Sequence, residues 1–193
     1  MTKLLIAALA LPLAGCISFG ATPPPSLLTL QPATPLTVGA TQRATPGATI
    51  AIMAPSVPQE LATQRVPVRA TDTSVAYVKD AQWVEQPARL FARLVSDTVS
   101  TRTGRVVIGD REFGTDPGAR LTGELRSFGV DAASSSAVVT FDAALVRSST
   151  TPLEKRRFEA RVPVAVVEAG AVGIALNTAA NQVATEVADW VGR

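Results

Sequence analysis

The sequence predicts a single α/β domain in which a mixed, largely antiparallel sheet packs against two principal helices. Three observations carry that prediction. Segments 137–147 and 157–167 alternate apolar and polar residues with a period of two, the mark of strands with one buried face. Segments 87–102 and 171–191 repeat apolar residues at helical spacing. A continuous apolar run at 49–54 suits a strand buried on both faces.

Taken in order, the chain opens with a leader. Lys3 supplies a basic start, residues 4–11 are apolar, and Pro12 and Gly15 end the run, which is too short for the roughly 20 residues that span a bilayer. Leu13-Ala14-Gly15-Cys16 resembles the lipobox of bacterial lipoprotein precursors, which makes residues 1–15 a signal peptide and the single cysteine, Cys16, the lipid attachment point. Proteins of this kind are sorted by the residue after the cysteine. Aspartate there retains them in the inner membrane, so Ile17 implies the outer membrane. Residues 16–25, with Gly20 and Pro23-Pro24-Pro25, form an extended tether, and residues 26–193 the folded domain.

Within that domain, 26–31 reads as a first strand and 32–48, rich in Thr, Ala, Pro and Gly, as a loop. The apolar run 49–54 is a central strand ended by Pro55. Segments 65–69 and 73–78 read as short edge strands or a hairpin among prolines. Pro87 suits the first turn of a helix and Gly104 its end, which bounds the first helix at 87–102; 105–108 returns as a strand. Strands 120–130, 137–147 and 157–167 form an antiparallel meander joined by Ser- and Ala-rich turns. The last helix, 171–191, carries Val172, Leu176, Ala179, Val183, Val187 and Trp190 on one stripe. The Gly170-x-x-Gly173 spacing lacks the pattern of a nucleotide loop and is read as packing.

Composition excludes much chemistry. The 18 basic and 16 acidic residues nearly balance, and no long basic run exists, so nucleic acid is not an expected partner. Lys155-Arg156-Arg157, Arg65 and Arg69 are assigned to solvated surface. With no histidine and the cysteine committed to lipid, neither a Cys/His zinc site nor a Ser-His-Asp or Cys-His nucleophile is expected. No cofactor is expected either. Carboxylate pairs remain, Asp110 with Glu112 and Glu124 with Asp142, and they are read as solvent-facing charges because acid catalysis needs a buried carboxyl beside a cleft. Trp83 and Trp190 are either core anchors or parts of a partner surface, and Trp83, Arg65 and Arg69 are the candidate partner-surface residues.

Four segments in this order resemble the ABC-type transport auxiliary lipoprotein family. They are Leu27-Leu28-Thr29-Leu30, in place of the family's Tyr-Tyr-x-Leu strand and without its tyrosines; Ile50-Ala51-Ile52-Met53-Ala54-Pro55; Gln64-Arg65-Val66-Pro67-Val68-Arg69; and Gln82-Trp83-Val84-Glu85-Gln86-Pro87, a tryptophan-centred lead-in to the first helix. The resemblance implies a non-catalytic accessory lipoprotein on the periplasmic face of the outer membrane. Its implied partners are an MCE-domain substrate-binding protein and the ABC permease and ATPase of a lipid-transport system, with lipid as cargo. The other expectations are an assembly lipoprotein of a different outer-membrane complex and, from the carboxylates, an envelope hydrolase.

Overall fold

The computed structural model describes residues 26–109, 117–148 and 150–193. Cys16, Ile17, the leader, the tether, Asp110 and Glu112 lie outside them. The domain contains strands β1 (Thr49–Ile52), β2 (Arg65–Thr71) and β3 (Ser74–Gln82), helix α1 (Pro87–Thr103), strands β4 (Val106–Ile108), β5 (Ala119–Asp131), β6 (Ser136–Val146) and β7 (Glu154–Pro163), and helix α2 (Ala169–Val191). It is α/β, with one mixed seven-stranded sheet.

Strands β5, β6 and β7 form the expected antiparallel meander. The far edge of β5 is shared. At its start Ala119–Leu121 pairs in parallel with β1, which pairs in parallel with β4 on its other side. At its end Val130 and Asp131 pair in parallel with Val68 and Arg69 of β2, which forms an antiparallel hairpin with β3. Between them Ser56 bridges the strand, donating to the Gly123 carbonyl at 3.0 Å and accepting from Leu125 N–H at 2.9 Å. Three segments thus satisfy the backbone groups of one long strand. β1 is interior and all four of its residues are buried, as the unbroken apolar run required.

Both helices cover one face of the sheet. Pro87 stands at the first turn of α1, and Gly104, at φ 68° in the left-handed region, ends it by donating to the Ser100 carbonyl at 3.0 Å. Phe91, Leu94, Val95 and Val99 of α1 meet the whole α2 stripe and the inward residues of the meander, Leu121, Phe128, Val139, Phe141, Leu145 and Phe158, in one core. At the far end, Arg147 donates to the carbonyls of Trp190 (2.9 Å) and Val191 (3.1 Å) while pairing with Glu154 at 2.7 Å. A cation thereby satisfies the last carbonyls of α2, where the helix dipole is negative.

Several boundaries differ from expectation. Segment 26–31 makes a single parallel bridge, Leu28 to Trp83, because side chains of α2 take its backbone groups. Gln31 N–H donates to Asn177 Oδ1 at 2.9 Å, Asn181 Nδ2 donates to the Gln31 carbonyl at 2.9 Å, and Ala33 N–H donates to Asn181 Oδ1 at 2.7 Å. β7 starts at Glu154 and stops at Pro163, since Val164 N–H turns aside to the Ser135 carbonyl at 2.8 Å. Residues 65–82 do form a hairpin, but only β3 lies at the edge. Gly173 lies under Leu28, whose side chain would have to shift to admit a Cβ, so close packing accompanies the second glycine of the Gly-x-x-Gly pair.

Candidate functional site

With the helices on one side, the other face of the β5–β6–β7 meander is left open, and strand alternation decides what it carries. Register sets Glu124, Asp142 and Arg157 in one row across the three strands, Ser127, Thr140 and Glu159 in the next, and Gly129, Val138 and Arg161 in a third. A bulge between Leu125 and Ser127 brings Arg126 to the same side, where its guanidinium approaches Glu124 at 3.4 Å and Asp142 at 3.7 Å.

These charges pair with one another. Arg157 grips Asp142 through two hydrogen bonds of 2.6 and 2.7 Å, the fork geometry that suits a guanidinium to a carboxylate. Arg161 donates to Glu159 at 2.8 Å and to Asp131 at 3.3 Å, while the Thr140 hydroxyl donates to Glu159 at 2.9 Å. Ser134 Oγ and Ala133 N–H also donate to Asp131, closing the β5–β6 turn. The Arg157 hydrogen bonds and charge hold the Asp142 carboxyl below the usual aspartate range, and the Ser134 hydrogen bond does most to lower Asp131. Burial opposes ionisation of Glu159, but its bonds from Thr140 and Arg161 outweigh that and its pKa falls. The Arg157 and Arg161 guanidiniums are raised by the same partners.

Where the β2–β3 hairpin and the 58–61 turn rise beside this face, a groove of about 420 Å³ opens. Arg69, Val75, Pro58 and Leu61 line one wall, and Glu124, Arg126, Arg157, Glu159 and Arg161 belong to the meander side. An acyl chain laid there would strip water from charged groups at a large cost. A polar protein surface of alternating charge would not, because exposed ion pairs exchange partners at little net cost and confer specificity rather than affinity.

The sequence candidates divide. Arg69 lines the groove, and none of the ion pairs among the described residues includes it. Arg65 lies four residues away, exposed, with its guanidinium 4.0 Å above the ring of Tyr77. Trp83 corrects the partner-surface assignment: it is 0% exposed, drawn inward by contact with Phe128 at 5.2 Å between ring centres. Trp190 is likewise buried, against Phe158 at 5.5 Å. Glu124 and Asp142 are register partners on the solvent side, as expected, each beside an arginine. Sequence reading missed Arg126 and Arg161, whose pairing depends on the bulge and on strand register.

No functionally curated protein matches the chain. A family model described as ABC-type transport auxiliary lipoprotein component matches residues 28–188. Among solved structures, protein XCC0632 from Xanthomonas campestris, of family DUF330, superposes with a TM-score of 0.67 at 22% identity, over 86% of this chain and 92% of that one. An uncharacterized protein superposes with a TM-score of 0.65 at 14% identity, over 86% of this chain and 99% of the other. Both likenesses concern the fold.

Proposed function

The chain belongs to the ABC-type transport auxiliary lipoprotein family, and from that premise we propose that it is a non-catalytic docking component of an MCE-type lipid-transport system. In this reading Cys16 carries the lipid, Ile17 directs the protein to the outer membrane, and the domain hangs on its Pro-rich tether at the periplasmic face. The far end of an MCE-domain substrate-binding assembly, driven by its ABC permease and ATPase, docks on the open sheet face. A continuous shielded route is favoured for lipid cargo because exposing apolar surface costs about 25 cal/mol per Å², and tethering raises the local concentration of the docking face.

The family match over residues 28–188 carries this reading. The groove beside Arg69 supports it by supplying a polar face suited to a reversible protein contact. Asp142 is held below its usual range by Arg157, and Glu159 by Thr140 and Arg161, the opposite of what a general acid needs, which favours an adaptor over a hydrolase. Affinity purification of the lipidated protein from its own membranes tests the proposal. Recovery of MCE-domain and ABC subunits is expected; recovery of a barrel or secretin in their place would assign the protein to assembly of another complex.

A further inference from the structure

Large apolar side chains that remain exposed are concentrated at one end of the domain. Of the nine among the described residues, Leu27, Val84, Val166, Val167 and Ile174 fall on the segments that meet at the start of α2. Leu28 ties them together. It donates to the Gln82 carbonyl at 2.7 Å, accepts from Val84 N–H at 2.9 Å, and lies against Gly173, the residue before Ile174. Val166 and Val167 immediately precede the cap of α2, Glu168. Ile174 is 74% exposed, so core packing does not explain it.

The exposed side of α2 continues the pattern. From Ala169 to Thr185 the helix has no charged residue; its exposed positions there are Gly170, Ala171, Ile174, Thr178 and Gln182. α1 instead exposes Arg89 and Arg93. Past the exposed Glu168 at its cap, the stripe enters a lipid headgroup region without stripping water from an ion.

The described chain begins at Ser26, beside Leu27. Only the nine residues 17–25 separate it from Cys16, a span of roughly 28 Å at about 3.1 Å per residue. We propose that this end of the domain seats directly on the anchoring bilayer, with Ile174, Val166 and Val167 entering the headgroup–acyl boundary, rather than standing away from the surface. The occupant of the rim is the membrane itself, a choice set by where the tether joins. The seat rests on the reading of Cys16 as the anchor. It also fixes orientation: α2, about 35 Å long, carries the Arg102–Asp189 contact at its other end away from the lipid.

The test uses the full lipidated protein, whose Cys16 sulfur is consumed by its thioether, with an environment-sensitive fluorophore at Ile174→Cys or Val167→Cys. The control is Thr101→Cys, exposed beside the far end of α2. Each is reconstituted in phosphatidylethanolamine–phosphatidylglycerol vesicles with brominated acyl chains. The seat predicts blue-shifted emission and loss of intensity by bromine contact at 174 and 167, with neither at 101. Flotation with the vesicles but unquenched probes at 174 and 167 would overturn the seat and leave the anchor standing. Equal quenching at all three positions would overturn the orientation, and failure to float would overturn the anchor and the seat together.

Discussion

Trp83 shows how a residue's neighbourhood decides between two readings. Flanked by Gln82 and Val84, it has the sequence surroundings of a surface tryptophan, yet its ring packs on Phe128, which touches Phe91 at 6.4 Å between centres, and Phe91 touches Phe141 at 5.2 Å. Its Nε1 is the one buried side-chain nitrogen or oxygen without a hydrogen-bond partner among the described residues. An unmet donor costs about 1–3 kcal/mol. Trp83→Phe is therefore expected to change stability by less than about 1.5 kcal/mol, lost volume offset by the removed N–H, whereas Trp83→Ala should cost about 3–5 kcal/mol; chemical denaturation distinguishes them. On the open face, Asp142 is held below its unfolded pKa by Arg157. Its stabilising contribution is complete above the ordinary aspartate value of about 3.9 and disappears as pH falls through the lower folded value. Asp142→Asn should lower the thermal midpoint slightly at pH 7, by the equivalent of less than about 1 kcal/mol for so exposed a pair, and the gap to the parent protein should close as pH falls through the lowered folded value.

At the scale of elements, the parts legible in the sequence are those whose signal is local. The period-two runs fixed the meander, Pro87 and Gly104 bounded α1, and the apolar stripe defined α2. What escaped was set by distant partners: Asn177 and Asn181 take the backbone groups of residues 31–33, so 26–31 could not be read as a bridge from its own apolar residues. The sharing of one edge of β5 by β1, Ser56 and β2 also has no local mark, although Gly129 is its trace. A Cβ there would collide with the Pro67 carbonyl, where backbone meets backbone and neither side chain can yield. Gly129→Ala should destabilise the domain by about 1–3 kcal/mol, with hydrogen exchange rising in β2 and β3. Arg147 joins β6 to the end of α2, and Arg147→Ala should cost roughly 2 kcal/mol, seen in thermal unfolding and in faster exchange of the last turn of α2. The polar face was legible as alternation in β6 and β7, but its pairing was not, because the bulge that brings in Arg126 follows no sequence rule.

At the scale of the whole molecule, the division of labour follows from covering one face of a sheet and leaving the other bare. The helices supply the core and the uncharged stripe of α2; the bare face supplies fixed, mutually paired charges. No helix among the described residues is long and apolar enough to cross a membrane, so in the proposed role the lipid on Cys16 supplies the attachment and the sheet face the contact with the transporter. Site-specific photo-crosslinking in living cells tests that claim most directly. A photoreactive residue at Arg69, in the groove, should crosslink to the MCE-domain subunit, and the same residue at Arg93, on the exposed side of α1, should not. A crosslink from Arg93 with none from Arg69, or products lacking any transporter subunit, would contradict the account.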